Sequence, residues 1–452
     1  MDSHHKLERQ LSLFPVTNIV IANIIGAGIF TTTGYLMGFL GNPVLMLSLW
    51  VVGGIIALLG SIAFGELGAA FPEAGGEYLF ISKLFNPMLG FLSGWLSLIV
   101  GFSAPIAASA IGFSAYFTWA FPHFQNWLML NSVITEQNFN RVLAIAIILI
   151  FSLIHSRGVV LGARIQNILT ILKVMLVAGL IIAGFTLGDG SFNHLQTEAP
   201  LQFEFENWKA IGLSLMFIMF AYSGWNSATY IGSEIKNPGK VIPRSLLIST
   251  LIVTVLYLLL NLFFVYAVPI GQMKNEPEIG GLAAGFAFGA TAEVVISLLI
   301  SFALFSSLSA FILLGPRVYY QMARDGYFFK SFAAIHLKRK VPSNAIYLQA
   351  GIAIVLVLSG TFEQILTYMG FSLGIFPILA VAGVFKLRIQ GKSPLKLPGY
   401  PFIHIVFIVT NVAILVLAYF QRPLESTIAV ITALSGIPVF YWFRFRQNIQ
   451  KS

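Results

Sequence analysis

Two short stretches of this chain have the residue types to hold a zwitterion without any charged side chain. The first reads Ile24-Ile25-Gly26-Ala27-Gly28-Ile29-Phe30, and the second reads Phe220-Ala221-Tyr222-Ser223-Gly224-Trp225-Asn226 followed by Ser227. Each interrupts an apolar run with small or polar residues, at a similar distance from the start of the run. Glycine weakens a helix by about 1 kcal/mol relative to alanine, and it leaves backbone open to a ligand. A helix broken here frees N–H groups at the start of its second half, where the helix dipole also favours a carboxylate. It frees carbonyls at the end of its first half, where an ammonium can donate. Small residues also serve close helix packing, and Gly34/Gly38, Gly90/Gly94 and Gly281/Gly285 are read that way. The matching second break favours a binding role for Gly26 and Gly28.

Lys173 is the one basic residue expected deep inside an apolar span, with Ile168 to Ala183 apolar on both sides. Such a placement costs at least ~2.5 kcal/mol on insertion scales. The flanks make snorkelling to a helix end awkward, so the residue reads as a functional or structural cation. A fixed charge and a carried proton both remain open for it. The acidic residues stand elsewhere: Glu66 and Glu234 at expected cytoplasmic helix ends, Glu293 and Glu363 towards the other side. No carboxylate is expected near either break. A cationic ligand would need one, so a neutral ligand is favoured over a basic one.

The elements that must position these residues are membrane helices. Of 452 residues, 57% are hydrophobic and 10% charged, against about a quarter charged in a soluble domain. Apolar runs fall at 13–38, 43–71, 88–121, 140–156, 162–187, 208–234, 243–268, 284–318, 345–360, 362–386, 401–420 and 425–444. Most approach or exceed the ~20 residues needed to span a bilayer. With the N-terminus inside, only Arg141, Lys209, Lys274 and Arg422 fall outside and only Lys173 within a span, leaving 21 of the 26 Lys and Arg on cytoplasmic loops and ends. That asymmetry follows the positive-inside rule and predicts twelve helices with both termini cytoplasmic. The runs of 13–187 and 208–386 hold five helices each and are nearly equal in length. An odd number per half makes them enter from opposite sides, an inverted repeat typical of transporters. The last two helices, within 401–446, fall outside it. The whole of 1–452 reads as one all-α membrane domain with discontinuous first and sixth helices.

Several function classes are excluded or disfavoured. The formal charge of +9 is explained by topology and does not call for nucleic acid. The absence of cysteine excludes a disulfide-linked subunit, thiolate metal sites and a cysteine nucleophile. Met1 to Gln10 is short and polar without a cleavable signal pattern. Gly370-Phe371-Ser372-Leu373-Gly374 matches a nucleophile pattern, but that pattern needs a strand–turn–helix with a partner His and acid, and here it falls in an apolar helix. No metal motif is present, and neither a metal nor a cofactor is expected. A channel would need a filter or a ring of one charge, and neither is visible. An enzyme is therefore not expected.

At this point the motifs resemble those of the amino acid–polyamine–organocation superfamily, most closely its L-amino-acid transporter branch. Gly26-Ala27-Gly28-Ile29-Phe30 is similar to the family's Gly-small-Gly substrate loop. Glu66-Leu67 through Phe71-Pro72-Glu73-Ala74-Gly75-Gly76-Glu77-Tyr78 is similar to its first cytoplasmic motif. Phe220 to Asn226, Glu234, Asn237-Pro238 and Pro243 resemble its sixth helix and following loop. Arg317 with Ala323-Arg324-Asp325-Gly326 resembles the end of its eighth. The resemblance implies a five-plus-five inverted-repeat fold, alternating access and an amino-acid substrate in a plasma membrane (the inner membrane of a bacterium), with the lipid bilayer as its other partner. It implies that Gly26, Ala27 and Gly28 take the carboxylate, that carbonyls of Phe220, Ala221 and Ser223 take the amine, and that Phe220 acts as a gate. Arg164-Ile165-Gln166-Asn167 with Lys173 resembles the fifth helix of sodium-independent members. This implies that Lys173 stands where others bind sodium, tied to the Gly26 carbonyl and to Ser306 or Ser307. Sodium-independent exchange of neutral L-amino acids is the leading expectation. Proton-coupled uptake and a permease for cationic amino acids or polyamines are the alternatives. Glu66 and Glu234 are expected to pair with Arg317 or Arg324 as an inner gate, or else to be solvated. Ser223 stands where relatives often have glycine and Ser227 where many have tyrosine, so side-chain selectivity is expected to depend on these two.

Overall fold

Apart from two isolated backbone bridges, every regular element among the described residues is a helix. The structure, a computed structural model, describes residues 7–121, 135–196, 204–336, 341–359 and 362–449. The cytoplasmic cations expected at Lys6, Lys338, Arg339, Lys340 and Lys451, and the side chain of Glu363, lie outside the described residues. Among the described residues, ten helical stretches are long and apolar enough to cross a membrane, counting the interrupted Leu13–Leu40 and Pro87–Trp119 as one each. The runs expected at 208–234 and 345–360 hold shorter helices of 17 residues each, Phe205–Ala221 and Ser343–Ser359. Val51, Ile55, Leu153, Ile171, Leu251 and Val409 are among the many large apolar side chains left exposed. An apolar outside over a core that buries Glu66, Lys173, Glu234 and Arg317 is what hydrocarbon solvent requires.

The first run forms two helices, α1 (Leu13–Ile24) and α2 (Ala27–Leu40). Ile25 and Gly26 are extended between them. After α3 (Pro43–Ala70), a short helix α4 (Glu77–Leu84) precedes α5 (Pro87–Leu96). Asn42 and Asn86 each cap the helix that follows, accepting from Leu45 and Leu89 N–H at 2.9 Å. Each cap is followed by Pro at the first helical position, where its missing N–H costs nothing. The expected single run 88–121 is interrupted by a π-turn at Ser97–Gly101 before α6 (Ser103–Trp119). Then come α7 (Glu136–Ser156), α8 (Val159–Thr186), α9 (Phe205–Ala221) and α10 (Pro238–Ala267). Gly289, with φ +90, separates α11 (Ile279–Phe288) from α12 (Ala290–Arg324), so the run expected at 284–318 starts within α11 and its spanning helix begins at Ala290. The chain ends with α13 (Ser343–Ser359), α14 (Phe362–Ile389), α15 (Phe402–Gln421) and α16 (Pro423–Ile449).

The packing of Gly34 and Gly38 differs from the sequence reading, whereas the Gly-x-Ser-x-Gly stretch lies in a helix as expected. Gly34 and Gly38 do not meet another helix. They meet the backbone of Glu276 and the side chain of Asn275, and the Asn275 N–H donates to the Gly34 carbonyl at 2.9 Å. The glycines of α2 are there to let a connecting segment lie flat on it. The Gly-x-Ser-x-Gly stretch lies inside α14, where Ser372 is buried and its hydroxyl has no partner. No nucleophile turn exists at that position.

Candidate functional site

α9 stops at Ala221, as the small and polar residues after it lead one to expect. The chain turns through Tyr222–Asn226 and continues as single 3-10 turns at Ser227–Tyr230 and Gly232–Glu234. Gly224 has φ +97, and a Cβ there would lie 2.6 Å from the Asn23 side chain on α1. Both the left-handed backbone and the close approach demand glycine. The two breaks touch. A Cβ on Gly28 would lie 2.8 Å from Ala221 Cα and 3.1 Å from the Phe220 ring, whereas one on Gly26 would meet nothing nearer than 3.8 Å.

Two cavities meet at this junction. The smaller is lined by Gly26, Ala27 and Gly28, with Phe220, Ala221 and Ser223 opposite. The larger is lined by Ser223, Gly224, Trp225 and Asn226 and reaches Glu77 and Tyr230. Asn23, Phe220, Ser223 and Phe311 line both. The N–H groups of Ala27, Gly28 and Ile29 open α2 and have no acceptor within their own helix. The carbonyls are partly taken. Ser223 N–H donates to Phe220 O at 2.9 Å, and the Tyr257 hydroxyl donates to Ile24 O at 2.7 Å and to Ala221 O at 3.1 Å. No hydrogen bond reaches the Ser223 carbonyl among the described residues.

The other residues singled out in the sequence divide. Ile25 and Ile29 are fully buried and face neither cavity. Tyr222 packs its ring against Trp50 and Tyr257, and Ser227 is fully buried with its hydroxyl unpartnered. Of the two serines expected to govern selectivity, only Ser223 lines a cavity. Trp225 is held edge-on between Phe64 and Phe407.

Lys173 on α8 is 1% exposed. Its ammonium donates to Ile25 O at 2.5 Å, Ala22 O at 3.2 Å and Ser307 Oγ at 2.7 Å. Ser307 Oγ in turn donates to Ile25 O at 2.8 Å. The carbonyls reached are those that end α1, one residue before the Gly26 carbonyl anticipated from the sequence. Ser306 points the other way and pairs with Gln166, whose Nε2 lies 3.1 Å from its hydroxyl.

Of the three buried carboxylates among the described residues, Glu66 and Glu234 are paired with arginines. Glu234 accepts from Arg317 Nε at 2.8 Å. Glu66 pairs with Arg388 (Nη2 at 2.5 Å, Nε at 2.8 Å) and with Ser393, not with Arg317 or Arg324. Arg324 instead lies over the Tyr320 ring. The exception is Glu77, and it corrects the sequence reading that no carboxylate stands near a break. Its side chain lines the larger cavity and accepts from Asn226 Nδ2 at 2.6 Å. Burial pushes its carboxyl up to about 7, against the pull of hydrogen bonds from Tyr230 and Asn226. In the sequence, Glu77 stood in a cytoplasmic motif nearly 150 positions from the break it touches, so no spacing rule joined the two. Asn23, whose buried Oδ1 has no partner, and Tyr257 were missed for the same reason. Their signal was an amide and a phenol inside otherwise apolar runs.

The family model described as amino acid permease matches residues 11–442. A serine/threonine exchanger, SteT, of Bacillus subtilis is 27% identical over 98% of this chain and 98% of its own. The mouse Asc-type amino acid transporter 1 is 28% identical over 96% of this chain and 81% of its own. The mouse b(0,+)-type amino acid transporter 1 is 28% identical over 98% and 91%. These relatives are transporters, not enzymes, and with ten apolar helices they mark a multi-pass membrane protein.

Proposed function

The chain belongs to the amino acid permease family, and on that premise we propose that it is a sodium-independent exchanger of neutral L-amino acids working by alternating access. The observation that carries this reading is the junction of two broken helices in one cavity, with Gly28 against Ala221. The substrate carboxylate sits on the N–H groups that open α2, where helix dipole and free donors coincide. Its ammonium takes the Ser223 carbonyl and the orphaned Asn23 Oδ1, supplementing the carbonyls of Phe220 and Ala221. Phe220, shared by both cavities, is the gate between them. The protein crosses the membrane twelve times with both ends in the cytoplasm, and 13–187 and 208–386 form the inverted halves. The membrane is a plasma membrane, as the similarity to a Bacillus exchanger favours.

Sodium independence rests on Lys173. Its ammonium occupies the carbonyl and hydroxyl ligands of Ile25, Ala22 and Ser307 that an alkali cation would need. The paired Glu66–Arg388 and Glu234–Arg317 then brace the inner end of the gate. Uptake of labelled serine or leucine by proteoliposomes tests the reading. Saturable uptake, unchanged when sodium is replaced by choline, is expected. Flux that never saturates identifies a channel, and sodium-dependent uptake refutes the role of Lys173.

A further inference from the structure

Glu77 is 7% exposed, and no cation pairs with it among the described residues. The groups facing it come from every element around it. The 222–230 segment gives Asn226 and Tyr230, and Tyr319 of α12 stands behind Tyr230. α5 and the π-turn give Ser93 and Ser97, and α14 gives Ser372. Charged groups nearby are committed elsewhere. On its own helix, Lys83 pairs with Glu73. On α12, Arg317 pairs with Glu234, and Asp325 accepts from Tyr78. On α14, Lys386 lies over Phe85. Glu77 is thus the only carboxyl among the described residues that line the larger cavity. A carboxylate accepts about four hydrogen bonds, and the amide and phenol leave room for a donor from the cavity.

We propose that Glu77 is a charge-matching subsite of the amino-acid cavity. The cavity takes either a neutral amino acid together with a proton on Glu77, or an amino acid with a cationic side chain against the Glu77 carboxylate. The inference rests on the reading of this cavity as an amino-acid site. A zwitterion brings no net charge, so an ionised Glu77 beneath it stays buried and uncompensated, which is costly. Protonation removes that cost, and a substrate ammonium or guanidinium removes it equally well. The carboxyl value of about 7 places the choice within the physiological range.

The two substrate classes then respond to pH in opposite directions. If only protonated Glu77 accepts a neutral amino acid, affinity falls about tenfold from pH 6 to pH 8 for a group titrating near 7. Affinity for a cationic amino acid rises by about the same factor, so their ratio moves about a hundredfold. The experiment measures displacement of labelled leucine by leucine and by lysine, on purified wild type, Glu77→Gln and Glu77→Asp, at pH 6 and pH 8. Wild type and Glu77→Asp should show the two opposite trends. Glu77→Gln should lose both the pH dependence and the binding of lysine. Parallel trends for the two ligands in the wild type, or lysine binding that survives in Glu77→Gln, overturn the proposal. Should Glu77→Gln fail to fold, Tyr230→Phe removes one donor to the carboxylate, and the crossover must move to higher pH; an unmoved crossover counts against Glu77. Absence of leucine binding at either pH would instead defeat the reading of the cavity itself.

Discussion

The ammonium of Lys173 lies 2.7 Å from the hydroxyl of Ser307, joining α8 to α12 directly behind the break in the first span. The same ammonium holds the carbonyls of Ala22 and Ile25, so one side chain fixes where α1 ends. Lys173→Ala takes the ammonium donor from the Ala22 carbonyl in a dry interior and leaves Ile25 O and the Ser307 hydroxyl only each other, at about 1–3 kcal/mol for each unsatisfied group. Transport should fall by more than about tenfold on that energy scale. Ser307→Ala, which leaves the ammonium two acceptors, should cost less. Proteoliposome uptake by both variants checks the order, and normal uptake by Lys173→Ala would contradict it.

Gly28 and Gly26 look equivalent in the sequence but not in space. A Cβ on Gly28 falls 2.8 Å from Ala221 Cα, while Gly26 has nothing within 3.8 Å. Forcing the breaks apart should cost about 1–3 kcal/mol, as overpacking does. Gly28→Ala should therefore melt at a lower temperature than Gly26→Ala in detergent. Equal melting temperatures would place the close approach elsewhere.

The ion pairs differ in the same way. Glu66 is fully buried, and its partner Arg388 is 13% exposed, whereas Lys83 and Glu73 are 40% and 47% exposed. Arg388→Ala leaves a buried carboxylate without its cation, with only the Ser393 hydroxyl donating to it, and should destabilise by about 3–5 kcal/mol. Lys83→Ala should cost about 0–1 kcal/mol. Thermal melts of the two variants report the contrast, and similar losses would refute it.

Glu77 also predicts a pH dependence of stability. Its folded value of about 7 lies above the ordinary carboxyl value of 4.5, so folding takes up a proton between the two. The contribution of this group to stability falls as pH rises from 4.5 to 7 and stays low above. Glu77→Gln removes that loss. It should melt above the wild type at pH 8, with the gap narrowing as pH falls towards 5. A gap that is constant with pH would show that Glu77 is not the titrating group.

Much of this was legible in the sequence, for local reasons. The break at Ile25–Gly26 and the end of α9 at Ala221 follow from glycine and small polar residues in apolar runs. Burial of Lys173 follows from the apolar residues on either side of it. What was not legible depends on tertiary contact. Nothing local told that Ser227 turns away while Ser223 faces the cavity, because the irregular turn through Gly224, with φ +97, lies between them. The Glu66–Arg388 pair joins residues 322 positions apart, and Arg317, the nearer candidate by motif, was already taken by Glu234. Glu77 sat in a motif read as a cytoplasmic loop, whereas the fold carries that loop back to the cavity wall.

Countertransport tests the central claim most directly. Proteoliposomes loaded with unlabelled amino acid, or left empty, are given labelled substrate outside, with and without a pH gradient. The account predicts strong uptake into loaded vesicles, little into empty ones, and no accumulation driven by the pH gradient alone. Uptake that ignores the internal amino acid and follows the pH gradient would contradict it.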